Sequence, residues 1–149
     1  MFSGLKKLHM KAIPVLAALL LFSLVACSDD DLDQQPAEAL ALNGDMESDQ
    51  AQLDSLRSVI EMTAKSVRCE GAEGWNITPM GSKACGGPQF YLAYHESIDA
   101  ESFLFEVEVY RLTEEAFNEK WGIISTCDVI AEPTGVECAE DLAVLLYDF

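Results

Sequence analysis

Four cysteines, Cys69, Cys85, Cys127 and Cys138, divide the carboxyl-terminal part of a 149-residue chain. Nothing else in the sequence restricts its possible folds as much. If the thiols pair, there are three possible pairings, and each one pins distant segments together. If they bind zinc instead, they need close pairs of the C-x₂-C kind. The spacings are 16, 42 and 11 positions, which argues against zinc. Pairing requires an oxidising compartment, so the first question is whether the chain is exported.

The amino-terminal segment answers it. Lys6, Lys7 and Lys11 precede an apolar run from Ala12 to Ala26 that is interrupted by Pro14 and ends in small residues. A positive start followed by a short apolar core is the build of a secretory signal. About 20 apolar residues are needed to cross a bilayer, and this run is shorter. Leu24, Val25, Ala26 and Cys27 resemble the lipobox of bacterial lipoproteins. That resemblance implies cleavage before Cys27, lipidation of its sulfur and acylation of the new amino terminus. Two or three acyl chains, at about 0.8 kcal/mol per buried CH₂, anchor a protein stably where one chain is marginal. By the same resemblance Ser28 at the following position implies outer-membrane sorting, on the periplasmic or the cell-surface face. The acidic run behind Cys27 is similar to the surface-export signals of some Bacteroidetes-type lipoproteins.

From Ser28 to Asp54 there are nine acids and no Lys or Arg. Self-repulsion and the lack of aromatic residues predict a disordered acidic tether over residues 27–48, after a signal peptide over residues 1–26. A coil of about 20 residues reaches roughly 25 Å. All 26 acids follow Cys27 and three of the nine bases precede it, so cleavage leaves 26 acids against six bases and a net charge of −20. Nucleic-acid binding requires clustered Lys and Arg and is excluded. Cationic partners gain in encounter rate from such a field.

Residues 49–149 are expected to form a single disulfide-bonded α+β domain: a small antiparallel sheet packed with two helices, and two disulfides. Leu53, Leu56, Val59, Ile60 and Thr63 recur at helical spacing between Ser48 and Ala64, with Ser48 or Asp49 as the cap. Glycines and prolines punctuate residues 67–88, with Trp75-Asn76-Ile77-Thr78 as a strand among them, and Gln89 to His95 reads as another. The segment from Asp99 to Trp121 carries two signals. Phe103, Val107, Tyr110, Phe117 and Trp121 make a helical stripe capped by Asp99 and stopped by Gly122, whereas "FLFEVEVY" alternates like a strand. Its length favours the helix. "STCDVIAEP" reads as a strand, and "VEC" with "LAVLLY" as a hairpin whose second strand, apolar on both faces, is placed centrally under a helix. The expected bridges are Cys85–Cys127 and Cys69–Cys138, tying the glycine-rich segment to the late strands. Closing a loop of about 43 residues stabilises by roughly 4 kcal/mol in the chain-entropy picture.

The segment from Lys83 to Leu92 has the pattern K-x-C-G-G-P-x-x-Y-L and, with "GIISTCDVI", resembles small exported bacterial lipoproteins; no activity comes with that resemblance. Gly86-Gly87-Pro88 beside a cysteine makes a tight turn. A rigid turn of this kind is a candidate binding loop through Lys83, Ala84, Gly86 and Gly87, and one alternative function is a protease-inhibitor-like module acting through Lys83-Ala84. Once the signal is removed His95 is the one histidine, so a hydrolase, the other alternative, must use it. No catalytic constellation, metal site or cofactor motif is expected, since D-x-D-x-D-G and phosphate-loop patterns are absent from the sequence. The leading expectation is a lipid-anchored envelope lipoprotein whose small domain binds a protein or other envelope component.

Overall fold

The computed structural model describes residues 35–148. The expected signal peptide, Cys27 and Ser28 lie outside the described residues. The order of elements is α1 (Met46–Ala64), β1 (Trp75–Met80), β2 (Phe90–His95), α2 (Ala100–Trp121), β3 (Gly135–Ala139) and β4 (Leu142–Leu146). This is the expected α+β class, with one difference. The strands form two separate antiparallel pairs, β1–β2 and β3–β4, instead of one sheet.

Helix α1 starts two residues before the expected position. Its cap is Asp45, whose carboxylate accepts the Ser48 N–H at 2.9 Å and also the Ser48 hydroxyl. Glu47 and Asp49 then place negative charge in the first turn, where the free N–H groups attract it. Helix α2 is bounded as the sequence predicts. The Asp99 carboxylate accepts the Ser102 N–H at 3.1 Å, and Gly122 takes the left-handed conformation that closes the last turn. The strand alternative for this segment is therefore set aside.

The core lies between the two helices and the β1–β2 hairpin. Phe103, Val107, Tyr110 and Phe117 of α2 meet Leu53, Ile60 and Ala64 of α1 and Met80, Leu92 and Tyr94 of the strands. Tyr94 and Phe103 pack with ring centroids 5.0 Å apart. In β1–β2 the register runs from Trp75 opposite His95 to Met80 opposite Phe90. The β3–β4 hairpin turns through Glu140 and Asp141. Both have positive φ, which gives a two-residue turn whose twist matches that of the strands.

Three expectations are corrected. Residues 123–134, including "STCDVI", form no strand. Strand β4 is not central: Leu142 is 57% exposed, and Val144 and Leu146 are also exposed. Its opposite face, with Ala143 and Leu145, lines an open pocket of about 290 Å³ together with Ala64, Trp75, Tyr91 and Leu92. Thus β4 is apolar on both faces although only one is covered. Finally, the segment just before α1, which charge alone assigns to the tether, lies against the domain. The Leu40 N–H donates to Thr113 Oγ1 at 2.9 Å and Leu42 packs on the core. The apolar residues Leu40 and Leu42 have a surface to cover, which a purely charge-based reading overlooks.

Candidate functional site

Lys120 fixes this leading segment. Its ammonium donates to the Leu42 carbonyl at 2.9 Å, the Gly44 carbonyl at 3.1 Å and Asp49 Oδ2 at 2.6 Å. The Asp49 carboxylate is buried in the first turn of α1, and it also accepts the Trp121 indole N–H at 3.1 Å and the Gly44 N–H at 2.9 Å. Hydrogen bonding from Lys120 holds its carboxyl below the usual carboxylate range, against the opposing effect of burial. Sequence spacing marks Asp49 as a possible cap. In the structure it is the joint between the two helices and the incoming chain.

Because the segment is held there, Leu40 is laid beside a groove between α1 and α2. The groove has a volume of about 530 Å³ and is lined by Leu40, Leu56, Val59, Ile60, Phe105 and Val109, with Glu106 among its polar residues. Val59 is 45% and Phe105 47% exposed, and Leu40 is exposed as well. These residues share one surface depression, and such contiguous apolar patches mark interaction sites more often than scattered single residues do. Sequence reasoning missed the groove, although its signal was present. The alternation in "FLFEVEVY" arises because α2 has two apolar faces: Phe103 and Val107 turn to the core while Phe105 and Val109 turn to the groove. Likewise Leu56 and Val59, which by spacing belong to the core stripe of α1, line the groove.

The surroundings are strongly acidic. Each of the six basic side chains among the described residues is held by an acid or a carbonyl oxygen. Arg57 and Lys65 pair with Glu61, Arg68 with Asp141, Arg111 with Glu108 and Glu115, and Lys120 with Asp49, while Lys83 reaches the Asp128 carbonyl. Arg57 also sits over the Phe90 ring, 4.4 Å from its centroid.

The residues singled out in the sequence are found elsewhere. The turn from Lys83 to Gly87 is closed by two backbone hydrogen bonds, Lys83 N–H to Gly87 C=O at 2.9 Å and Gly86 N–H to Lys83 C=O at 2.8 Å. Gly86 and Gly87 both have positive φ, a region that side-chain-bearing residues rarely adopt. The turn is thus as tight as expected, and Ala84 is exposed on it. Lys83, however, is half-buried and its ammonium is engaged with the Asp128 carbonyl, so it does not project as a free inhibitory side chain would. Below the turn the Glu114 carboxylate accepts the Ser82 N–H and the Tyr110 hydroxyl. Burial pushes its carboxyl up, because the charged form is the one that desolvation penalises.

His95 Nδ1 contacts the Ser97 hydroxyl at 2.8 Å and accepts the Ser97 N–H at 3.1 Å, and its ring meets Trp75 edge-on at 5.2 Å. His95 borders a different depression from the groove. Cys69 and Cys138 form the expected disulfide, with Cα atoms 5.4 Å apart. Cys85 and Cys127 are brought together as expected, side by side on the surface, but as thiols. Among the described residues no helix is long and apolar enough to cross a membrane. The chain matches no protein-family model, no curated protein sequence and no solved structure.

Proposed function

We propose that this protein is a lipid-anchored binding module of the cell envelope, attached through Cys27, whose helical groove receives a basic amphipathic segment of another envelope protein. The observation that carries the binding role is the open apolar groove at Leu40, Val59 and Phe105. Charge complementarity selects the occupant. A chain of net charge −20 after cleavage, with its described basic side chains already engaged, repels acidic partners and attracts cationic ones. An amphipathic helix in a groove places apolar anchors inside and charges at the rim. The anchor is supported by Leu24-Val25-Ala26-Cys27 and by the acidic stretch that follows.

Both halves can be tested separately. Mass spectrometry of membrane-extracted protein should find acyl chains on Cys27, and Cys27→Ser should abolish them. For the groove, a synthetic Leu/Lys amphipathic helical peptide is titrated into the protein beside a Leu/Glu counterpart and a Lys-rich peptide without apolar residues. Saturable binding of the first peptide alone, lost in a Val59→Ser, Phe105→Ser double variant of unchanged charge, is the expected result. Equal binding of both Lys peptides, or binding that survives the double variant, would reject the groove. Concentration-dependent dimerisation through the same residues would replace the partner with a second copy.

A further inference from the structure

The two cysteine pairs have very different surroundings. Cys69 is buried, its N–H donates to the Asp141 carbonyl at 2.9 Å, and its bonded partner Cys138 lies inside the β3–β4 ladder. Cys85 and Cys127 are both exposed. Cys85 lies in the closed turn that begins at Lys83, and Cys127 in the stretch 123–134, which has no backbone ladder. We propose that Cys85 and Cys127 form a reversible dithiol/disulfide site on the surface that exchanges with low-molecular-weight disulfides, while Cys69–Cys138 stays closed.

The arrangement fits the chemistry of exchange. Thiol–disulfide exchange needs an accessible thiolate and a second thiol within reach of the first sulfur. Both cysteines are exposed, and their side chains are neighbours. The environment also makes them unequal. Hydrogen bonding from Cys127 and Ser125, helped by the positive charge of Lys83, lowers the Cys85 thiol, while the neighbouring Cys85 raises Cys127. A lowered thiol supplies more of the nucleophilic thiolate. This assigns Cys85 as the attacking sulfur and Cys127 as the resolving one. The Cys85 thiolate attacks one sulfur of an external disulfide, forming a mixed disulfide and releasing one thiolate, which takes up a proton. The Cys127 thiol then loses its proton and attacks the Cys85 sulfur, releasing the second thiol. The chain is oxidised by two electrons, the small disulfide is reduced to two thiols, and the reverse sequence reopens the site. The closed bond staples the Lys83–Gly87 turn to the irregular segment. The open form leaves them joined by weaker contacts, such as Lys83 to the Asp128 carbonyl.

The test uses the full chain equilibrated with mixtures of reduced and oxidised glutathione, quenched by alkylation and mapped by mass spectrometry. The expected result is a range of mixtures in which Cys85 and Cys127 are alkylated while Cys69 and Cys138 are not. The surface pair should be reduced with an equilibrium constant at least tenfold more favourable, which corresponds to about 30 mV for a two-electron couple. Cys127→Ser and Cys85→Ser should each retain a single glutathione adduct, on Cys85 and on Cys127 respectively, whereas the parent chain should resolve its adduct into the closed bridge. Circular dichroism of both variants verifies that the fold is kept. Simultaneous opening of the two bridges, a surface bridge that opens only on unfolding, or single variants that take up no glutathione would each overturn the proposal.

Discussion

Burial pushes the carboxyls of Asp49 and Glu114 in the same direction, yet their net shifts are opposite because only Asp49 has an ammonium to outweigh it. Asp49 has Lys120 within 2.6 Å, and its carboxyl is lowered. Its unfolded form therefore binds a proton more readily than its folded form does. Its stabilising contribution is present above its unfolded value of about 3.8 and is lost as pH falls through the lower folded one. Glu114 is held by the Ser82 N–H and the Tyr110 hydroxyl, and it is raised chiefly by burial. Its contribution is greatest below its ordinary value of 4.5 and is lost as pH rises through the folded value. Urea melts across pH 2–7 should show Asp49→Asn losing stability at neutral pH with a smaller further loss on acidification. In Glu114→Gln, stability relative to the parent should instead grow as pH rises from 4 to 7. The amide oxygen still accepts the Ser82 N–H without the cost of a buried charge. Neither role was legible in the sequence. A capping acid and an acid that shares a salt bridge have the same letter, and the partners of Asp49 lie 71 and 72 positions away.

The helices show what local patterns reveal and where they stop. Asp99 and Gly122 bound α2 through hydrogen bonds and backbone geometry that need only neighbouring residues, so both ends of this helix can be read from the sequence. The aromatic stripe is legible for the same reason. Phe103 is 1% exposed, and Phe103→Ala should cost about 3–5 kcal/mol in chemical denaturation, as large aromatic truncations in closed cores do. Phe105→Ala, two positions on and half-exposed, should cost less than a third of that. A Phe105→Ala loss equal to that of Phe103→Ala would mean the groove is core instead. Where each strand goes was less readable than where it is. The apolar run of β4 suggests a central strand because sequence shows hydrophobicity and not coverage, and nothing in "STCDVIAEP" reveals that it finds no pairing partner. The hairpin turn at Glu140-Asp141 needs only its length and its flanking apolar runs.

At the scale of the molecule, charge is the dominant feature. Among the described residues 22 acids face six bases, and those bases are already engaged, so the remaining carboxylates repel one another across the surface. Screening length shrinks from about 30 Å at 0.01 M salt to about 10 Å at 0.1 M. The melting temperature should therefore rise with sodium chloride over that range, and binding of the Leu/Lys peptide should weaken over the same range. A melting temperature that is flat or falls with salt would show that the engaged pairs outweigh the repulsion. The sign of this field was fully legible from composition, while the groove it surrounds became visible only when α1, α2 and the leading segment were seen together.

The clamp at Lys120 also has a mechanical meaning. A pull arriving along the backbone from the amino-terminal side meets the Leu40–Thr113 hydrogen bond first, and then the Leu42 and Gly44 carbonyls held by Lys120. Leu40 is therefore loaded before the clamp, and its release would remove one wall of the groove while the clamp still shields the aromatic interior.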